Sequence, residues 1–167
     1  GTNGSAVTYN PKQKLYYASI AGNGSYPLEA FNDKGNNIAQ VEIGFDARGM
    51  WYNPKTKQLE GNAYPKGIYA IQLNSNGLPQ GDAQQVEDES TSLSNACGVY
   101  DAANNEVIYY AEGSIHRYDR ATGKSKGSIE LLVQKANINA FSMIFTGVKG
   151  KEYGVLDFNN RKVLLFN

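Results

Sequence analysis

Six residues of this 167-residue sequence have the chemistry expected of a ligand-binding surface: Tyr26, Tyr64, Asp46, Arg48, Asn95 and Asn139. The two tyrosines each precede a proline, in "SYP" and "AYP", and exposed aromatic residues dominate many binding hot spots. The polar residues fall in or beside turn-rich stretches. Oxygen donors such as Asp46, Asn95 and Asn139 are ligand types for Ca²⁺, but no glutamate accompanies them to complete such a site.

The other reactive side chains do not form a recognisable catalytic set. His116 is the only histidine and Cys97 the only cysteine, which excludes a histidine-rich metal site, an internal disulfide and a thiolate cluster. Cys97 lies among small residues in "SNACGV", a context typical of a buried packing residue. The run "VEDEST" at 86–91 predicts a solvated loop, and "AGNGSY" at 21–26 lacks the spacing of a phosphate-binding loop. The sequence therefore predicts no catalytic residue.

The composition favours a turn-rich β protein. The chain has 18 glycines, 12 tyrosines and only 19% charged residues, which is typical of strands joined by tight turns. The 16 basic residues balance the 16 acidic ones, so no net field attracts nucleic acid or an anionic membrane surface. No apolar run reaches the roughly 18 residues of a membrane helix. We therefore expect neither nucleic-acid binding nor membrane insertion.

Two turn signals recur along the chain with a similar period. The first is "YNPKQK" at Tyr9–Lys14, repeated as "YNPKTK" at Tyr52–Lys57 and in degenerate form from Tyr100 and Phe145. Asn can cap such a turn and Pro fixes φ at the next position. The second signal is an aromatic residue or Leu followed by Asn or Asp, and it occurs at Phe31, Leu73, Tyr118 and Phe166. Both signals repeat every 42 to 48 residues.

A unit of about 45 residues with four short strands, A to D, is the sequence pattern of a β-propeller blade. The first turn signal joins strands A and B, and the second joins C and D. The whole chain, 1–167, is interpreted as one propeller domain with blades at about 5–43, 47–87, 95–133 and 139–167. The last blade ends at its C–D turn, so its strand D is missing. We expect part of a six- to eight-bladed ring; the alternative is a self-contained four-bladed or oligomeric form.

The segment "IHRYDRATGK" at Ile115–Lys124 resembles the C–D turn of bacterial YVTN and NHL-type propellers, hydrophobic–x–x–hydrophobic–Asp–x–x–Thr–Gly–Lys. The resemblance extends over nearly the whole chain as a repeat pattern. The Trp-Asp dipeptide of WD-repeat propellers and the double glycine of kelch blades are absent. The resemblance implies an exported bacterial protein, periplasmic or at the cell surface. The sequence begins with Gly1, as expected of a processed or tag-cleaved start.

The repeat predicts B–C loops that include "GNAYPKG" at Gly61–Gly67 and "DFNN" at Asp157–Asn160, and D–A loops that include "GFDARG" at Gly44–Gly49. In propellers generally, the D–A and B–C loops share the face that binds ligands. We therefore expect a non-catalytic binding or scaffold module that recognises a protein, peptide or glycan there, and self-association through open blade edges. The alternative is a metal-dependent gluconolactonase-like hydrolase or glycan lyase. Aligning the A strands on the repeat places four small polar residues near the mouth of the central channel, where such a site would lie: Asn3, Asp46, Ser94 and Asn139. Trp51 lies within an A strand and is expected to pack between blades.

Overall fold

The fold is an all-β propeller, as the sequence predicts. The computed structural model describes residues 3–21, 24–88, 93, 95–131, 136–139 and 141–167, and its fifteen secondary-structure elements are all β-strands. They form four antiparallel sheets in which the strands follow chain order. The described residues include no helix with the length and apolar character needed to cross a bilayer.

Each sheet is one blade. Blade one contains β1 (Asn3–Asn10), β2 (Leu15–Ala21), β3 (Pro27–Phe31) and β4 (Asn37–Glu42). Blade two contains β5 (Asp46–Asn53), β6 (Gln58–Tyr64), β7 (Ile68–Leu73) and β8 (Pro79–Glu87). Blade three contains β9 (Val99–Asp101), β10 (Glu106–Ala111), β11 (Ser114–Asp119) and β12 (Ser125–Glu130). Blade four, in the described residues, contains β13 (Ile144–Phe145), β14 (Tyr153–Asp157) and β15 (Lys162–Phe166).

The hydrophobic core lies between the blades. The innermost strands of successive blades are neighbours, with β1 beside β5, β5 beside β9 and β9 beside β13. Three apolar clusters fill the spaces between sheets. Tyr17 and Leu59 belong to the cluster between blades one and two, Trp51 and Tyr109 to the next, and Ile108 and Val155 to the third. Each blade therefore depends on its neighbours for the burial of its side chains.

The two repeated turn signals have the geometry predicted for them. In the A–B turns, the Oδ1 atoms of Asn10 and Asn53 accept the backbone N–H two residues further on, at 3.1 and 3.0 Å. In the C–D turns, Gly77 and Gly123 have φ of 81° and 67°, a region that glycine adopts without steric penalty. Asp119 accepts two backbone N–H groups of its own turn, at 3.0 and 2.9 Å.

The same asparagines also anchor hydrogen bonds between blades. Asn10 Nδ2 donates to the Tyr17 hydroxyl at 3.4 Å, and that hydroxyl donates to the backbone oxygen of Gly77 in the C–D turn of blade two, at 2.6 Å. At the equivalent positions 43 residues later, Asn53 Nδ2 donates to Glu60 at 2.9 Å, and Arg120 Nε of the blade-three turn donates to Glu60 at 2.8 Å. The repeated motif thus shapes a turn and takes part in the contact of blade one with blade two and of blade two with blade three.

Blades two and three approach so closely that a glycine is required at position 49. A Cβ on Gly49 would lie 2.3 Å from the backbone oxygen of Gly98. Asn62, fully buried, spans the same contact: its Nδ2 donates to the Ala96 oxygen and its Oδ1 accepts the Gly98 N–H, both at 2.8 Å. The backbone spacing between these blades therefore excludes a side chain at Gly49, whereas a Cβ on Gly98 would lie 2.7 Å from the buried Asn62 Oδ1.

Two segments predicted as loops are strands instead. Within "GNAYPKG" at Gly61–Gly67, the first four residues complete β6, and only Pro65, Lys66 and Gly67 join it to β7. Gly61 is needed there because a Cβ would lie 2.6 Å from the Gly49 oxygen. Similarly, Asp46–Gly49 of the predicted D–A loop begins β5. Both segments are rich in glycine and polar residues, which are typical of loops in a sequence. In the structure these residues instead make the contacts between neighbouring strands and blades.

We expect Glu60→Gln to lower the free energy of unfolding by roughly 3–5 kcal/mol, because it leaves the buried Arg120 guanidinium without a counter-charge. Urea denaturation followed by tryptophan fluorescence measures this. The exposed Glu130→Gln is the control and should change stability by less than about 0.5 kcal/mol. Equal stabilities of the two variants would contradict a structural role for the pair.

Candidate functional site

Three of the six sequence-predicted binding residues lie together at one end of blade two. Asp46, the first residue of β5, pairs across the sheet with Tyr64, the last residue of β6. Arg48 Nη2 donates to Asp46 Oδ2 at 2.7 Å. The Arg48 guanidinium carbon lies 4.8 Å from the centre of the Tyr64 ring. The three side chains therefore form one contiguous group, which we call the Tyr64 cluster (Asp46, Arg48 and Tyr64).

A β-bulge positions Arg48 in this group. Ala47 pairs with Ala63 and Gly49 pairs with Asn62, so Arg48 is an extra residue with no partner across the ladder. A bulge redirects the side chain of its extra residue and increases local twist. β1 has the same irregularity between Gly4 and Ala6, at the equivalent position of blade one. The bulge is therefore shared by blades one and two, and in blade two its side chain contacts an aromatic ring.

The Tyr64 cluster combines a compensated charge with an exposed aromatic surface. Asp46 is buried, whereas Tyr64 is 46% exposed. A guanidinium on one face of the ring is held by the ring quadrupole and by the Asp46 carboxylate. Asp46 Oδ1 and Arg48 Nε are buried without a hydrogen-bond partner among the described residues. The arrangement is suited to non-covalent binding by stacking and hydrogen bonding.

The other three predicted residues do not join the Tyr64 cluster. Tyr26 is half-buried, packs against the core shared by blades one and two, and accepts the Ile43 N–H through its backbone oxygen at 3.1 Å. Asn139 Oδ1 caps its own turn by accepting the Phe141 N–H at 2.8 Å. Asn95 is exposed in the turn before β9. Ser94 and the side chain of Asn3 lie outside the described residues.

A cavity of about 390 Å³ lies among the innermost strands of all four blades. None of the six predicted residues lines it. Its walls are formed by consecutive residues near those strands, Ala6–Tyr9, Met50–Tyr52, Cys97–Tyr100 and Phe141–Phe145. Most of these side chains are apolar, and the Ser142 hydroxyl is already hydrogen-bonded to Asn139 and Leu156. Within the described ranges, no three His, Cys, Asp or Glu residues are grouped as metal ligands.

Sequence reasoning missed Phe158 as an exposed aromatic residue on a B–C loop. It is 63% exposed between β14 and β15, beside a cavity of about 460 Å³ that Leu156, Asn159 and Arg161 also line. The available signal was the aromatic residue in "DFNN", a segment that the repeat had already assigned to this loop. Phe158 therefore adds a second exposed aromatic residue at the end of the blades where β6 and β14 finish.

Cys97 lies in the core, and His116 lies beside the backbone of its own hairpin. Cys97 is buried, and burial raises the pKa of its thiol from 9.0 to about 11, which keeps it protonated and non-nucleophilic at neutral pH. His116 is half-buried, and its Nε2 lies 3.3 Å from the Ala111 oxygen. Trp51 packs between blades as expected, with its ring 6.2 Å from that of Tyr100.

No family model matches this sequence, and no curated protein matches it significantly. Among solved structures, the crystal structure of BamB from Moraxella catarrhalis is similar, with a TM-score of 0.49 and 13% sequence identity. The alignment covers 97% of this chain and 52% of that one, so this chain spans about half the length of that protein. The fold is thus established by the four sheets described above, and the family is left open.

We expect the Cys97 thiol to react slowly with an aromatic disulfide reagent at pH 8 in the native state and rapidly in urea. Its pKa is raised in the folded state, so the unfolded chain loses the proton first. Stability should therefore fall as the pH rises from about 9 towards 11. Absorbance at the reagent's product band measures the rates, and native and unfolded protein reacting equally fast would contradict burial of this thiol.

Proposed function

We propose that this protein is a non-catalytic binding module that recognises a segment of a protein or peptide through the Tyr64 cluster. The exposed ring of Tyr64, held against Arg48 and Asp46, is the observation that carries the proposal. The cluster lies where β5 begins and β6 ends, on the D–A and B–C loop face. Loops on a rigid scaffold commonly carry binding.

The chemistry of the Tyr64 cluster favours an apolar or aromatic anchor on the partner. Because Asp46 compensates the Arg48 charge, the site gains little from an ionised ligand. The ring is held in place by the bulge and by the guanidinium, so little side-chain entropy is lost when a partner stacks on it. Proline, aromatic or aliphatic side chains fit such a surface, and aromatic residues dominate interface energetics. A glycan could also stack on the ring, and the experiment below separates the two.

The finer assignment within propellers is also part of this proposal. The Asp119–Gly123 turn supports a repeat of the YVTN and NHL-like type. That type supports an extracytoplasmic location in a bacterium. Fractionation of the source cells, followed by immunoblotting, tests the location directly.

We expect Tyr64→Ala to weaken binding of a selected peptide by about tenfold or more, since it removes the stacking surface. The peptide is obtained by phage display of a random library on the wild-type protein, and its affinity is measured by calorimetry. Tyr16→Ala is the matched control, because Tyr16 has similar exposure, 44%, but lies just after the A–B turn of blade one.

Two outcomes would overturn the proposal. The first is equal binding by wild type and Tyr64→Ala. The second is failure to select any peptide, together with Tyr64-dependent signals on a glycan array, which would make the ligand a carbohydrate. Tyr26→Ala should instead lower stability, because that side chain packs against the inter-blade core.

A binding module of this kind should be insensitive to divalent cations. We expect the melting temperature to be the same in millimolar Ca²⁺ and in EDTA, since a ligand stabilises a protein only if it binds the native state. Differential scanning fluorimetry measures the transition. A clear rise in melting temperature with Ca²⁺ would favour the lactonase-like alternative, in which the polar residues near the channel hold a metal.

A further inference from the structure

A second cavity, of about 200 Å³, lies between blades one and two, at the end of the strands opposite the Tyr64 cluster. Its walls come from the A–B turns of both blades and from the C–D turn of blade two. Pockets for drug-sized molecules measure roughly 300–1,000 Å³, so this one suits a more compact ligand. We call it the dilysine cavity, and the described residues that decide its chemistry are Lys12, Gln13, Tyr52, Lys57, Ser75 and Gly77.

The repeat shows what occupies the equivalent place in the next blade contact. The C–D turns of blades two and three align on Asn74 and Asp119, whose Oδ1 atoms accept the backbone N–H two residues further on, at 2.9 and 3.0 Å. Ser75 therefore has the position of Arg120. Between blades two and three, Arg120 extends from its turn to Glu60, with 2.8 Å between Nε and Oε2. Ser75 has no guanidinium to extend in this way, so the corresponding space between blades one and two is open.

The walls of the dilysine cavity are fixed by contacts between the two blades. The Tyr17 hydroxyl of blade one donates to the backbone oxygen of Gly77 at 2.6 Å. A Cβ on Gly77 would lie 2.8 Å from Gln13 Cγ, so the Gln13 side chain packs directly against this turn. Gln13 Oε1 is buried without a hydrogen-bond partner among the described residues. The cavity is therefore formed before any ligand enters, which lowers the entropic cost of binding.

Two lysines give this cavity an uncompensated positive charge. Lys12 and Lys57 both line it, and neither takes part in the ion pairs of the described residues. None of the described residues around the cavity carries a carboxylate. In the next blade contact the residue equivalent to Lys57 is the neutral Asn105, with φ of 57° against 60°, and the chain supplies its own anion, Glu60. Like charges beside one small cavity repel each other, and an anion between them removes that cost.

We propose that the dilysine cavity binds a compact oxyanion between Lys12 and Lys57, supplied either by free phosphate or by the carboxylate of an acidic side chain. An ammonium group donates several hydrogen bonds to such an anion and adds its charge to each of them. The Ser75 hydroxyl lines the same cavity and can donate another. Because this site and the Tyr64 cluster lie at opposite ends of the strands, the proposal does not depend on the function proposed above.

Titration with inorganic phosphate at pH 7 and constant ionic strength tests the site, with backbone amide chemical shifts as the readout. We expect saturable shifts around Lys57, Ser75 and Gly77. Lys12→Ala and Lys57→Ala should each weaken binding by about threefold or more, because each removes one charge from the anion. Ser75→Glu should prevent binding, since it places a carboxylate of the chain itself between the lysines. The same titration with acetylated aspartate N-methylamide separates the two sources, because only the anion that fits should saturate the site.

Lys55→Ala is the matched control, since Lys55 has the position of Lys12 in the next copy of the repeat, is equally exposed and does not line the cavity. This variant should bind the anion like the wild type. Melting temperatures establish that all variants fold, as expected for exposed lysines. The proposal would be overturned if neither probe gave saturable shifts, or if Lys55→Ala weakened binding as much as Lys12→Ala. Undiminished binding by a Lys12→Ala/Lys57→Ala double variant would contradict it equally.

Discussion

The contact between blades two and three depends on one carboxylate that water does not reach. Glu60 is 1% exposed and accepts hydrogen bonds from Trp51, Asn53 and Arg120. A buried ion pair adds little stability over apolar side chains of similar volume, yet each partner is costly to leave alone. The network therefore chiefly fixes the position of blade three relative to blade two, because the blade-three turn must bring Arg120 to Glu60. Asn62 holds the neighbouring backbone in the same contact.

Blade one meets the same requirement with a neutral group. Tyr17 stands at the position of Glu60, and its hydroxyl reaches the blade-two turn directly. Burial raises the pKa of this hydroxyl, so the donor is retained across the range in which proteins function. Both networks include the asparagine of the repeated turn, which is Asn10 beside Tyr17 and Asn53 beside Glu60. The same turn motif thus supports inter-blade contacts of different chemistry. This explains why the turn sequence is repeated in the chain although the side chains that it contacts differ.

The fold could be predicted because its signals are local. Asn10, Asn53 and Asp119 cap turns within a few residues of themselves, so their spacing alone indicated hairpins and a blade period. The candidate site could be predicted only as a set of residue types. Arg48 meets Tyr64 because of a bulge, and a bulge arises from the pairing of two strands rather than from either strand's pattern.

Similar tripeptides also proved to have different surroundings. "SYP" and "AYP" suggested equivalent tyrosines, but Tyr64 is the last residue of β6, whereas Tyr26 precedes β3 with φ of 45°. One ring faces solvent and the other packs on the core. The register of neighbouring strands decides between these environments, and register is not readable from three residues.

The close approach of Gly49 and Gly98 has a consequence for the size of any closed ring. The angle between adjacent blades depends on how near their inner strands come, and a smaller spacing at the axis allows fewer blades to complete a circle. A side chain here would increase the distance between the inner strands of the two blades, close to the propeller axis. The missing Cβ of Gly49 therefore allows the inner strands of blades two and three to come closer at the axis than a side chain would permit.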